Sequence, residues 1–228
     1  MIDAQNKLSF HTIIAVATFL AVLIPWFFTV DEISFTSEKI LLMSRAVGAI
    51  PFFLLFLVMI IGPIMKLFPV LFPKWGDFPW NWRAELGIWF AVWSVIHTLF
   101  VFAGRDWDVV GYLLNINPWA FGALVATVMA VILAALSFRG AINYLGSDSW
   151  KWIQNYFTYV IWWLVVVHVI DRALLRPGFP SDDWLHWVYL AMVIIVPLLQ
   201  LAGFIKTVKE YRKSLREKQE NNKEGDQG

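Results

Sequence analysis

Six apolar stretches, each of about the twenty residues that a membrane-spanning helix needs, set the fold class of this chain. They cover residues 10–30, 39–66, 83–104, 118–138, 152–172 and 184–205. At a rise of ~1.5 Å per residue, each stretch is long enough to cross the ~30 Å hydrocarbon core of a bilayer. Hydrophobic residues make up 59% of the chain and charged residues 15%, which is not typical of a soluble globular protein. We therefore expect an all-α integral membrane bundle of six transmembrane helices, surrounded by membrane lipid.

The six stretches form one predicted domain, residues 1–205, and residues 206–228 form a polar, basic tail. Residues 69–82 are rich in Pro and Trp, which is typical of a loop at the membrane interface. Residues 143–149 are predicted as a polar turn, and Pro63 as a point where the second helix kinks or ends. The first stretch has no basic region before it and no small-residue cleavage site, so we expect a retained helix.

The lysines and arginines predict the orientation of the bundle. With six crossings, both termini lie on the same side as the second and fourth loops. That side carries Lys66, Lys74, Arg83, Arg139, Lys151, Lys206, Lys209, Arg212, Lys213, Arg216, Lys218 and Lys223. By the positive-inside rule both termini are cytoplasmic. Nothing in this charge distribution predicts a nucleic-acid partner.

Two histidines lie inside these apolar stretches, and ionisable residues at such positions usually face the bundle interior. His97 is seven residues before Gly104, and His168 is four before Arg172. Because the third and fifth helices run in the same direction, both histidines lie within ~10 Å of the outer edge of the membrane. Two level imidazoles on parallel helices are suited to hold a haem iron between them. The alternative is that they are unrelated histidines with hydrogen bonds inside the bundle.

The absence of cysteine narrows the choice of cofactor. No residue is available for disulfides, for iron–sulfur ligation by thiolates or for covalent haem attachment. Any haem in this chain would therefore be held non-covalently, with His97 and His168 as its candidate metal ligands.

Two arginines are candidate partners of the haem propionates. Arg45 lies about six residues inside the outer end of the second stretch, where an unpaired guanidinium is costly. Arg172 lies one turn beyond His168 on the same helix face. A guanidinium pairs well with a carboxylate, so both are predicted to bind the cofactor. The alternatives are that Arg45 extends to the interface and that Arg172 anchors a helix end. Arg105 is interpreted as an interfacial residue.

The remaining histidines are weaker candidates. His186 lies among tryptophans at the outer start of the sixth stretch and is interpreted as an interfacial residue, near enough to the site to approach a propionate. His11 has no level partner among the histidines and is interpreted as structural.

Three motifs resemble those of a known family. They are Arg45-Ala-Val-Gly48 through Pro63, Arg83-Ala-Glu-Leu-Gly-Ile88 followed by Ser94-Val-Ile-His97, and Trp150-Lys-Trp-Ile-Gln-Asn-Tyr156 leading to His168. In this order they resemble the ferric reductase-like transmembrane domain, and most closely its YedZ/MsrQ-type branch. Members of that branch are haem b membrane subunits that pass electrons to a periplasmic methionine sulfoxide reductase. The resemblance covers the second to fifth stretches and implies a six-helix bundle in which His97 and His168 hold haem b.

The chain departs from this family in the half of the bundle nearer the cytoplasm. Gln154 stands where the family usually has another histidine, and Arg83 and Ala84 stand where two-haem members have a histidine early in the third helix. An amide oxygen is a poor ligand for haem iron compared with imidazole. We therefore expect one haem b, near the outer face.

The segment 206–228 is too short to form a dinucleotide-binding unit. We therefore predict that the electrons come from a separate flavoprotein reductase or from quinol in the membrane. Glu85 is a candidate acceptor of a quinol proton. The sequence thus predicts a membrane cytochrome b, the electron-transfer subunit of an oxidoreductase system, which carries electrons to a periplasmic redox acceptor. Two alternatives stay open. One is a transmembrane reductase that acts directly on ferric iron or another outer substrate, and the other is a non-redox transporter or assembly protein.

Overall fold

The computed structural model describes residues 11–21, 23, 36–71, 80–175 and 184–225. Within these ranges the chain is helical, joined by short turns, and contains no β-strand. The helices are α1 (His11–Ala21), α2 (Ser37–Leu67), α3 (Trp80–Ala103), α4 (Val109–Leu114), α5 (Pro118–Leu136), α6 (Arg139–Leu145), α7 (Ser147–Val169) and α8 (Trp184–Gly225). A π-helical turn, Ile170–Leu175, continues α7.

Five of the described helices, α2, α3, α5, α7 and α8, are long and apolar enough to cross a membrane. They coincide with five of the six predicted stretches, which confirms the all-α class and the helical nature of those stretches. The first predicted stretch is helical over α1, and most of its remainder lies outside the described residues. The crossing of a membrane by six helices therefore stays a prediction.

Helix α2 is central to the packing of the bundle. It packs against α3 and α8 and touches α7, while α5 packs between α3 and α7. Helices α3 and α7 therefore occupy opposite corners of a square completed by α2 and α5. In the core, the Phe52 ring stacks on Trp162 at 5.7 Å between centroids and meets the edge of Tyr189 at 5.6 Å. These contacts join α2, α7 and α8 at the middle of the bundle.

Helix α2 does not end at Pro63, as the sequence allowed, but continues to Leu67. Gly203 of α8 lies against Pro63 at this level, because an added Cβ would be only 3.6 Å from the proline ring. The Lys206 ammonium of α8 then donates to the Lys66 carbonyl at 2.6 Å. A helix end leaves carbonyls without intrahelical partners, and a lysine there both bonds to them and complements the helix dipole.

Two connections differ from the predicted loops. Residues 143–149 are mostly helical, since α6 and α7 are separated only by Gly146, whose positive φ of 80° breaks the helix. Helix α4 was not predicted. It begins after Asp108, whose carboxylate accepts a hydrogen bond from the Gly111 N–H at 2.9 Å as a helix cap.

The predicted tail is part of α8. The helix passes the boundary at residues 205/206 and continues as far as Gly225. Its charged portion carries two ion pairs at i,i+4 spacing, Lys206 to Glu210 at 3.8 Å and Lys213 to Glu217 at 3.7 Å. Such pairs support a solvent-facing helix.

Candidate cofactor site at the histidine pair

His97 projects from the face of α3 that packs into the bundle. Leu86, Phe90 and Trp93, which precede it at helical spacing on the same face, are all buried. Its Nδ1 lies 2.8 Å from the Ser44 carbonyl of α2. A ring nitrogen next to a carbonyl must carry the proton and donate it, so the lone pair of the imidazole is left on Nε2. The main chain of α2 therefore fixes both the orientation and the tautomer of His97.

Gly48 provides the space that the His97 ring occupies. A Cβ added at Gly48 would lie 2.9 Å from His97 Cε1 and 3.0 Å from Nδ1. Atoms this close are inside van der Waals contact, so only glycine lets the ring reach the Ser44 carbonyl at its present position. Gly48 belongs to one of the motifs of the sequence, but its contact with a residue on another helix could not be read from that motif.

His168 lies on α7 on the same face as Gln154 and Ile161, which precede it by fourteen and seven residues. Its ring interacts electrostatically with His97, and the main chain of Trp119 on α5 lies beside it. Its Nδ1 is buried and, among the described residues, has no hydrogen-bond partner. The two histidines that the sequence paired thus lie within electrostatic range of each other, and their joint binding of a cofactor stays a prediction.

The pair can be tested against the needs of a haem. A porphyrin supplies four of the iron ligands, so the protein has to supply only two imidazole nitrogens. One ring here is oriented by a main-chain carbonyl, which is the usual arrangement around metal-bound histidine. The other ring lies against the Trp119 main chain, although its buried Nδ1 makes no hydrogen bond of full geometry among the described residues. Within the described ranges, no group of three or more His, Cys, Asp or Glu side chains offers a site for an ion held by protein alone. Two imidazoles, one of them oriented by a main-chain carbonyl, are the donor set that a haem requires of the protein.

Arg172 lies in the π-helical turn that follows His168. It interacts electrostatically with both histidine rings. Its Nε lies 3.6 Å from the Asp171 carboxylate, which also accepts a hydrogen bond from Asn117 at 3.4 Å. Turns of π-helix are rare and occur often at functional sites. Arg172 therefore lies within electrostatic range of both histidines, and its contact with a cofactor stays a prediction.

Arg45 and Arg105 occupy different positions around the pair. Arg45 is next to Ser44, at the level of His97, and its side chain is exposed. Its contact with a propionate stays a prediction. Arg105, interpreted from the sequence as interfacial, places its guanidinium over the Tyr112 ring at 4.5 Å from the centroid. This is a cation–π arrangement that holds Arg105 against α4.

A cavity of about 560 Å³ lies in the other half of the bundle, between α2, α3, α5 and α7. Arg83, Ala84 and Gln154, the residues that replace the expected histidines, all line it. The Gln154 amide nitrogen donates to the Leu133 carbonyl at 3.1 Å and to Ser137 at 3.0 Å. The side chain of Gln154 is thus fixed by α5. Sequence reasoning did not single out these partners on α5, because nothing in the spacing relates them to Gln154.

Trp150 and His11 also lie in this half of the bundle, and the contacts of His11 agree with its interpretation as a structural residue. The Trp150 Nε1 is buried and finds no acceptor within the part of the chain that the structure describes. His11 has partners on α3, since its Nδ1 accepts from Trp89 at 3.1 Å and its Nε2 lies 3.8 Å from the Glu85 carboxylate. Glu85 is buried, so this contact gives it a polar neighbour.

His186, at the start of α8, is half-buried.

Comparisons with protein-family models, with curated proteins and with solved structures find no match to this chain. Support for a function therefore comes from the geometry of the histidine pair and from the motifs of the sequence.

Proposed function

We propose that this protein is a membrane cytochrome b that carries electrons across a bacterial inner membrane to a periplasmic acceptor. In this proposal six helices span the membrane, both termini are cytoplasmic, and one haem b is held by His97 and His168. The observation that carries the proposal is that two half-buried imidazoles from opposite corners of the bundle lie within electrostatic range of each other, with His97 oriented through Ser44. The motifs of the ferric reductase-like family supply the independent argument for haem.

The protein contributes position, charge and exclusion of water. Bound haem would supply reversible one-electron chemistry at its iron. The Ser44 carbonyl holds the proton on Nδ1 and leaves the lone pair of His97 on Nε2, and Gly48 lets the ring lie at that depth. Arg172 brings a positive charge near both rings, partly offset by Asp171 at 3.6 Å, and this charge favours a bound carboxylate and a more reduced iron. The buried core around Phe52 and Trp162 excludes water from the middle of the bundle.

The electron donor in this proposal is quinol in the membrane or a separate flavoprotein reductase. The cavity of about 560 Å³ that Gln154 lines supports an entry point for electrons in the half of the bundle away from the histidines. It presents the Trp150 N–H as a donor without an acceptor among the described residues, and both hydrogen bonds that the Gln154 side chain makes there come from its nitrogen. The Gln154 Oε1 is therefore available as an acceptor. A donor and an acceptor one turn apart suit a ring that carries a carbonyl or a hydroxyl group.

The test is the absorbance spectrum of the purified protein. The proposal predicts a reducible Soret band with a haem-to-protein ratio of one, lost in both His97→Ala and His168→Ala. His186→Ala is the matched control and should keep the band. Colourless protein from haem-replete cells would refute the cytochrome proposal and favour a transporter or assembly protein. A ratio of two would refute the single-haem claim.

Whether the chain is itself a reductase is decided by a second measurement. Purified protein with a chemical reductant would reduce ferric iron with turnover if the chain acts directly on an outer substrate. Haem that is reduced but passes electrons only when an outer acceptor protein is added supports the role of an electron-transfer subunit.

A further inference from the structure

A second cavity, of about 450 Å³, lies just outside the histidine pair. It is enclosed by the end of α3, by α4, by the start of α5 and by the π-helical turn after α7. Its lining includes Arg105, Tyr112, Asn115, Asn117, Ala120 and Arg172. Two guanidinium groups from separate parts of the chain, those of Arg105 and Arg172, line this outer cavity.

The outer cavity is lined by two guanidiniums and one carboxylate, and the Arg172 guanidinium is also paired with Asp171 at 3.6 Å. Among the described residues, Asp108 is the one acidic side chain that lines it, against Arg105 and Arg172. The Asp108 carboxylate already accepts from the Gly111 N–H at the beginning of α4. Part of its hydrogen-bonding capacity is therefore used within the fold, and the two guanidiniums set the chemistry of the space.

Arg105 is held at the outer cavity by the fold itself. Its guanidinium is stacked on Tyr112, and the two residues that follow it along the chain, Asp106 and Trp107, have positive φ values of 53° and 61°. Successive non-glycine residues in the left-handed region are uncommon and are unfavourable unless the surrounding structure enforces them. This turn brings α4 back over Arg105, so the position of the guanidinium is set before any ligand arrives.

The outer cavity and the histidine pair are neighbours. Ala120 is buried and lines the outer cavity, and the main chain of the preceding residue, Trp119, lies beside His168. Arg172 lines the same cavity and interacts with both histidine rings. A group bound here therefore lies next to whatever the histidines hold.

We propose that the outer cavity is a carboxylate-binding site in which Arg105 and Arg172 are the donors. A guanidinium presents parallel N–H groups that match the two oxygens of a carboxylate. The lining at Ala120 is apolar, which suits a carboxylate attached to a carbon skeleton. Arg105 is thereby assigned a binding role that its sequence position did not indicate.

The carboxylate has two sources with the same chemistry. One is a haem propionate, and this source rests on the proposed function. The other is a small organic acid that reaches the site from the outer face, and this source does not depend on haem. Citrate is the probe that separates them, because it carries carboxylates and is not part of a porphyrin.

The experiment measures citrate binding by calorimetry, using full-length protein purified with and without haem. The variants are Arg105→Gln, Arg172→Gln and Arg105→Lys, and Arg139→Gln at the exposed start of α6 is the matched control. Because charge-assisted hydrogen bonds are lost, each Gln variant should weaken binding about tenfold or more. Arg105→Lys keeps the charge without the paired N–H groups and should fall in between. The control should bind citrate as the unmodified protein does.

The outcomes separate the two sources and the two proposals. Citrate binding to haem-loaded protein, weakened by both Gln variants, supports the site with an organic acid as its ligand. Citrate binding only to haem-free protein supports the site with propionates as its occupants. In that case Arg105→Gln and Arg172→Gln should also lower the haem reduction potential, since positive charge favours the reduced iron. Protein that never contains haem but binds citrate through Arg105 refutes the proposed function and keeps this site. Citrate affinity unchanged in both Gln variants, or no citrate binding to either form, overturns the site.

Discussion

Replacing Gly48 by alanine will displace the His97 ring. The new Cβ would lie 2.9 Å from His97 Cε1 and 3.0 Å from Nδ1. Carbon atoms pack at about 3.5 Å or more, so the ring has to move by about 0.6 Å. The hydrogen bond to the Ser44 carbonyl, now 2.8 Å long, would then stretch to the limit at which such a bond still counts.

The magnitude has three contributions. Overpacking of a tight contact costs about 1–3 kcal/mol. Loss of a buried hydrogen bond adds about 1 kcal/mol. Alanine in place of glycine within a helix returns about 1 kcal/mol. Gly48→Ala should therefore destabilise the protein by about 1–3 kcal/mol, and the change falls on the ring that we propose as a haem ligand.

The assay compares Gly48→Ala with Gly87→Ala. An added Cβ at Gly87, on α3, meets nothing within 4 Å, so this control receives the helix propensity of alanine without a clash. We expect Gly48→Ala to lower the thermal unfolding midpoint and the haem-to-protein ratio, and to shift the Soret band of the haem that is retained. Gly87→Ala should match or exceed the unmodified protein in stability. Equal spectra and equal midpoints for the two variants would refute the argument that Gly48 positions His97.

Two further predictions concern the opposite half of the bundle. Gln154→Leu removes the hydrogen bonds to Leu133 and Ser137 and should destabilise the protein by about 1–2 kcal/mol in thermal unfolding, whereas Asn155→Leu at the next, exposed position should not. Equal losses in both would show that the contacts of Gln154 with α5 do not matter. Lys206→Ala removes the ammonium that bonds to the end of α2 and should cost about 0.5–1.5 kcal/mol by the same measurement, while Lys209→Ala one turn along α8 should be neutral. A neutral Lys206→Ala would contradict the capping role.

The helices were predictable because their signal is local and repeated. Twenty consecutive apolar residues identify α2 or α5 without knowledge of their neighbours. The depth of His97 and His168 in the membrane was predicted by counting residues along parallel helices. In the structure the two rings lie within electrostatic range of each other.

The contacts that shape the site were not predictable in this way. The bond from His97 to Ser44 joins residues 53 positions apart, and the bond from Trp89 to His11 joins residues 78 apart. Hydrophobic periodicity says which face of a helix is buried, but not which atoms of another helix it meets. The turn at Asp106 and Trp107 was missed for a related reason, because a positive φ is uncommon outside glycine and here depends on how the turn packs.

The continuity of α8 has a mechanical consequence for the basic end of the chain. An isolated helix must first form a costly nucleus, but residues after Ile205 extend a helix that the bundle has already formed. The charged turns up to Gly225 therefore keep a fixed angle around the helix axis relative to α2. Since each residue rotates the helix by ~100°, one alanine inserted after Thr207 would turn every later charge by that angle without altering the charge itself. The direction in which the charged side chains of this part of α8 point is thus set by the number of residues before them as much as by the residue types.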